Sequence, residues 1–328
     1  MNQSRRHFLK STAAAGIAGW LPPLLLAAPE QMVLTVGGPV KPGALGLTFA
    51  HEHVLVDFGG ADVVSADRYD ADEAFQKVLP YLKEIKKLGA QTFVECTPNY
   101  LGRDVRLLKR LAEASGLHIL TNTGLYGARD GMFLPDYVAT ETAEQLARRW
   151  TDEFQNSIEG TNIRPGFIKI GVNNGPLNEA DRKLVEAAAR THRATGLTIA
   201  AHTGDAAAAM EELEIVQAAK VHPSAFVWVH AQGKGTDQHL KAARLGAWVE
   251  IDGISEQNYI DHAQQVKALR DAGWYRVGEP QGGDYRSHAV LLSKFVPELQ
   301  KQGFSEAEVK QLLVTNPAQA FTLQMRLG

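Results

Sequence analysis

The sequence is poor in several features, and each absence excludes something. One cysteine, Cys96, stands in 328 residues, too few for a disulfide framework or a cysteine-built zinc site. Long runs of lysine and arginine are missing and the net charge is −3, so nucleic acid is not an expected partner. No Gly-x-Gly-x-x-Gly follows the first apolar run, which removes support for a dinucleotide site. With 45% hydrophobic and 22% charged residues, what remains is an ordinary globular composition, long enough for one large domain or two modest ones. Cys96 lies in Phe93-Val94-Glu95-Cys96 and is expected to be a small buried apolar residue.

The first thirty residues differ in kind from the rest. Arg5-Arg6-His7-Phe8-Leu9-Lys10 precedes an apolar stretch over residues 12–26, then Ala27-Ala28-Pro29. A charged start, an apolar middle and small residues at a cut site describe a secretory leader, and the paired arginines resemble the twin-arginine export signal. The stretch is rich in glycine and alanine and short for a membrane span. Residues 1–28 are therefore expected to be a leader, with a periplasmic or secreted product and no stable membrane anchor. Removing Arg5, Arg6 and Lys10 leaves 31 basic against 37 acidic residues, a net of −6.

From residue 33 onward short apolar runs alternate with amphipathic stretches. Helices are expected over residues 71–88, 104–114, 137–158, 179–195, 206–219 and 237–245, several of them stopped by glycine. Strands are expected over residues 45–50, 92–96, 118–122, 167–170, 197–201, 225–229 and 247–251. Strand–helix alternation with nearly continuous apolar strands indicates a parallel sheet covered by helices. Seven such repeats over residues 33–328 fit a single (β/α)8 barrel domain better than an open sheet. After Asn258 the pattern falters. A helix over residues 258–270 runs straight into Asp271-Ala272-Gly273-Trp274-Tyr275, with no apolar run for an eighth strand, which is expected to be missing or remodelled.

Reactive groups of such barrels sit at the C-terminal strand ends. Here those ends carry His51 and His53, Cys96, Asn122, Lys169, His202, His230 and Asp252. A lone His-x-His is as well explained by a surface strand. Four histidines in one ring, from 11 in the chain, point instead to metal ligands. Lys169 stands between Ile168 and Ile170. It could reach solvent by its flexible stem, or react as a neutral, desolvated amine with carbon dioxide. The resulting carbamate is an anionic oxygen ligand able to bridge two cations.

His51-Glu52-His53, Lys169, Ala201-His202-Thr203 and Val229-His230-Ala231 together resemble the phosphotriesterase family of the amidohydrolase superfamily, over nearly the whole chain from about residue 33 to 321. The resemblance implies two divalent metal ions, usually described with zinc. His51 and His53 would hold the buried metal, and His202 and His230 the more exposed one. Carbamylated Lys169 and a hydroxide would bridge them. It also implies an aspartate after the eighth strand, which ligates the buried metal and takes a proton. Tyr126 resembles the tyrosine that faces substrate in lactonase-like members, and Trp274 is a second substrate-side residue. Homodimers are a further implication.

The aspartate is where the sequence departs from the family pattern. Both Val266-Lys267-Ala268-Leu269-Arg270-Asp271-Ala272-Gly273 and Asp271-Ala272-Gly273-Trp274-Tyr275-Arg276 match family stretches that share Asp-Ala-Gly, as if about a dozen residues between them were absent. That length is most of a strand. Asp271 is the first choice for the ligand and proton acceptor, with Asp284 and Asp252 as alternatives. The expected activity is metal-dependent hydrolysis of a lactone or other carboxylic ester, with phosphotriesters second. A metal-binding barrel impaired in catalysis, serving as a binding protein, is the alternative.

Overall fold

In the computed structural model, residues 31–232, 235–252, 275–283 and 287–328 are described. The leader and residues Asp271, Trp274 and Asp284 lie outside them. A hairpin, β1 (Val33–Thr35) and β2 (Gly38–Val40), opens the described chain. There follow β3 (Thr48–Glu52), β4 (Leu55–Val56), α1 (Ala71–Lys87), β5 (Thr92–Glu95), α2 (Val105–Ser115), β6 (His118–Leu120) and β7 (Asn122–Thr123). Next come α3 (Tyr137–Thr140), α4 (Ala143–Asn156), β8 (Phe167–Gly171), α5 (Glu179–Thr195), β9 (Ile199–His202) and α6 (Ala206–Ala218). The strands end with β10 (Phe226–Val229), α7 (Thr236–Leu245), β11 (Trp248–Val249) and β12 (Tyr275–Arg276).

Parallel ladders run β3–β5–β6 and then β7–β8–β9–β10–β11, with β6 and β7 one strand position interrupted at Thr121. This is the ring of a (β/α)8 barrel. Its inner layer is Val94, Cys96, Leu120, Phe167, Ala200, Val227 and Val229, packed at one end on Phe321. Alternate residues face outward: Ile168, Ile170, Ile199, Ala201, Phe226 and Trp228 bury against the helices. The period of two sorts these side chains by itself, which is why continuous apolar strands were legible as a two-faced buried sheet.

Local chemistry sets the helix ends. Asp70 caps α1 by accepting from the backbone of Asp72 and Glu73, and Asp104 caps α2 in the same way. The single helix expected over residues 137–158 is two helices, because Thr142 and Gln145 form a capping box that starts α4 afresh. Buried Arg103 donates to the carbonyl of Asn122 and to Glu153, tying the loop after β5 to α4.

At the eighth position the described residues supply one short strand, and the expected helix over residues 258–270 lies outside them. Tyr275 and Arg276 pair in parallel with Leu55 and Val56, so a two-residue strand sits on the extension of the first strand. Among the described residues no ladder joins β11 to β3 or to β12. The seam of the barrel lies there.

Candidate metal centre

β3 reaches the site through an irregularity. Its ladder with β5 shifts register between Phe49 and Glu52. Phe49 packs outward and Ala50 packs on the inner layer, yet His51 also faces the pocket. A bulge re-aims side chains in this way. Strict alternation would have sent His51 outward with Phe49, so the bulge is what admits it. From His51 onward the period of two resumes: His53 joins His51, while Glu52 points away and its Oε2 accepts from His288 Nδ1 at 2.8 Å.

The other strand ends supply the rest. One cavity of about 90 Å³ is lined by His51, His53, Lys169, His202 and His230, with Tyr126 and Cys96. Ring centroids of His51 lie 5.4 Å from His53 and 4.8 Å from His230, and His202 lies 4.5 Å from His230. The four rings thus form one cluster and share their cavity with Lys169, itself 1% exposed. Tyr126 approaches His202, its hydroxyl 3.1 Å from Nε2. His230 adopts a left-handed φ of 57°, uncommon for a residue with a Cβ. The Asp252 carboxylate holds it there, accepting from the His230 backbone N–H at 3.2 Å and facing its Nδ1 at 2.6 Å.

The site is built to present uncharged imidazoles. Burial, reinforced by Lys169 and neighbouring histidines, holds His51 well below its ordinary pKa and brings His53 down to about 3. Neutral imidazole is the form that ligates a cation. Both nitrogens of buried His51 lack a hydrogen bond, which in an interior calls for a partner such as an ion. Burial alone would raise the Asp252 carboxyl, but His230 and Gln232 outweigh it and hold it below the ordinary carboxylate range. His51, His230 and Asp252 can each offer a ligand atom within 4.8 Å of the others. Nitrogen and carboxylate donors of this kind fit zinc and similar divalent metals.

Behind His53 lies an arrangement the sequence reading missed. His53 Nδ1 is 2.8 Å from Thr97 Oγ1, and that hydroxyl donates to Glu95 Oε1. Glu95 also accepts from the backbone N–H groups of Val54 and Thr97. With its Nδ1 proton donated to Thr97, His53 keeps Nε2 for a cation, the usual outer support of a metal-binding histidine. A glutamate inside Thr92-Phe93-Val94-Glu95 was the available signal, since a carboxylate is rarely buried without a role.

Burial raises the Glu95 carboxyl to about 8 against the opposing hydrogen bonds. The folded chain therefore keeps a proton that the unfolded chain releases near 4.5. Stability of the metal-free protein should fall between those values at up to about 1.4 kcal/mol per pH unit from this group. Glu95→Gln should flatten that slope in urea unfolding at pH 5.5 and 8. An unchanged slope would contradict the assignment.

The structure thus brings together His51, His53, Lys169, His202, His230 and Tyr126, and it adds Asp252 at their edge. It also carries exposed Arg129, its guanidinium 5.6 Å from the ring centroid of Phe58, which lines the cavity.

Comparison with known proteins agrees with this architecture. The sequence profile of the phosphotriesterase family matches residues 31–277. The chain is 31% identical to the phosphotriesterase homology protein of Escherichia coli (strain K12), over 84% of this chain and 98% of that protein. It is 27% identical to N-acetyltaurine hydrolase of Salmo salar, over 91% of this chain and the whole of that one. Among solved structures, a triple mutant of organophosphorus hydrolase from Deinococcus radiodurans superposes with a TM-score of 0.77 at 25% identity, covering 88% of this chain and 97% of that one.

Proposed function

The chain belongs to the phosphotriesterase family and is a metal-dependent hydrolase; from that premise we propose that it works with two divalent cations on a small, uncharged carboxylic ester or lactone. The observation that carries this reading is the convergence of His51, His53, Lys169, His202 and His230 on one cavity. A cation pair, when bound, supplies hydroxide near neutral pH and polarises the group under attack.

The chain's own residues do the rest. The desolvated rings of His51 and His53 stay neutral and ready to ligate, and Thr97 fixes the ring of His53. His202 and His230 would hold the second cation, and Lys169, as its carbamate, would add an anionic oxygen ligand. Val56, Phe58, Pro98 and Leu101 form an apolar wall that excludes water and accepts an uncharged acyl or alkyl group. The Tyr126 hydroxyl, beside His202 in the cavity wall, can donate to the substrate carbonyl or departing oxygen.

A second reading is favoured by Arg129 over Phe58. That cation suits an N-acyl amide with an acidic tail, the class to which the N-acetyltaurine hydrolase relatives' name points. Turnover of a lactone, an aryl ester, a phosphotriester and N-acetyltaurine, compared in the native protein and Arg129→Ala, separates the two. The first reading predicts the highest kcat/KM on a lactone or ester, unchanged within about twofold by Arg129→Ala. A preference for N-acetyltaurine that Arg129→Ala lowers tenfold would replace it. Tyr126→Phe should reduce ester turnover by about two- to tenfold, the range of one hydrogen bond.

We also propose that residues 1–28 are a leader removed on export, so the working enzyme is periplasmic or secreted. The twin arginines Arg5 and Arg6 support this, and Arg5→Lys with Arg6→Lys should leave the protein in the cytoplasmic fraction.

A further inference from the structure

We infer that Asp252, at the end of the seventh strand, supplies the carboxylate ligand of the metal centre. This rests on the metal-centre reading above and concerns which residue of this chain completes it.

Three observations converge on Asp252. Its side chain is buried, 4% exposed, at the seam where, among the described residues, the ladders end at β11 and begin at β3. Across that seam its Oδ2 stands 3.3 Å from His51 Nδ1, yet that nitrogen makes no hydrogen bond. Two donors each about 2.1 Å from one tetrahedral cation lie about 3.4 Å apart. The spacing of this pair is therefore that of two ligands sharing an ion. The carboxylate is also aimed: Oδ1 is held by His230 Nδ1 at 2.6 Å and Gln232 Nε2 at 2.9 Å, and Oδ2 by the His230 backbone at 3.2 Å. Glu250, two residues earlier on the same face, reaches the same ring, its Oε2 3.8 Å from His51 Nδ1. Among the described residues, the seventh strand end is the carboxylate source that meets His51.

The alternative role for Asp252 is to orient His230 alone, and the test separates the two. The metal-free full chain is titrated with Co(II), followed by its visible absorption and by metal analysis. Asp252→Asn should weaken one Co(II) equivalent at least tenfold, in the range by which lost metal contacts act, while Asp271→Asn and Asp284→Asn keep both. In a His230→Asn background the Asp252→Asn loss should persist. Its disappearance there would reduce Asp252 to a positioning residue and overturn the inference. Asp252→Asn with native affinity would overturn it as well, leaving the metal-centre reading intact. A native chain that takes up no Co(II) would overturn that reading and this assignment together. Should Asp252→Asn not fold, Asp252→Glu keeps the charge but moves the oxygens by a methylene. It should bind Co(II) with a changed visible spectrum, and an unchanged spectrum would overturn ligation.

Discussion

Lys169→Ala is expected to lose about a thousandfold or more in kcat/KM and to retain at most one cation. Lys169 is buried to 1% exposure, between Ile168 and Ile170, which face the helices. Its backbone is pinned on both sides. β9 pairs it with Ala200, and Gly124, at φ 118°, lies so close that a Cβ there would meet the Lys169 carbonyl oxygen at 2.0 Å. The side chain cannot swing out to water without breaking the strand. Its side chain lines the cavity with the four histidines, and as a carbamate it would supply an anionic oxygen to the proposed cations. Cations contribute several kcal/mol of charge stabilisation, and each 1.4 kcal/mol is tenfold in rate, hence the size of the loss. Acetate or propionate supplied at millimolar concentration should restore part of the rate, because a free carboxylate can enter the space the lysine leaves. Lys169→Ala with full metal content and full rate would refute the carbamate.

Chelation should produce the second large effect. Dialysis against a strong chelator is expected to reduce hydrolysis to the uncatalysed background and to lower the melting temperature. A ligand present at a thousand times its dissociation constant stabilises by about 4 kcal/mol, which for a chain of this size is about 6–7 °C. Adding Zn(II) or Co(II) should restore both. Buried His51, whose nitrogens lack hydrogen bonds, is the physical reason to expect a fold that relaxes when the centre is stripped. Activity that survives chelation would favour a hydrolase that draws nothing from these histidines. Metal binding without any turnover on the substrate panel would favour the catalytically impaired barrel.

Much of this architecture was legible because the strands are short, apolar and punctuated by glycine. α5 and the strand Phe167–Gly171 fall where periodicity puts them. His51 and His53 do share the pocket, but for a reason the sequence did not carry: a bulge between Phe49 and Glu52 breaks the alternation just ahead of them. Bulges depend on what the neighbouring strand offers, and no local residue pattern in Thr48-Phe49-Ala50-His51 announces one. Thr142 could have been recognised as a helix start, since Thr-x-x-Gln is a capping box. The Glu95–Thr97–His53 chain was harder, because it joins residues 44 apart. The expected gap before Tyr275 falls on residues outside the described ones; what is described there is the two-residue pairing of Tyr275 and Arg276 with Leu55 and Val56. The inferred role of Asp252 was beyond the sequence, because its approach to His51 joins residues about 200 apart in the chain.

The most direct test of the central claim is the metal stoichiometry of the purified chain after equilibration with Zn(II) and removal of loosely bound ion. Two equivalents per chain are predicted, falling to one or none when Lys169 is replaced by alanine. A single equivalent in the native chain, unchanged by that replacement, would contradict a two-cation centre built on His51, His53, Lys169, His202 and His230.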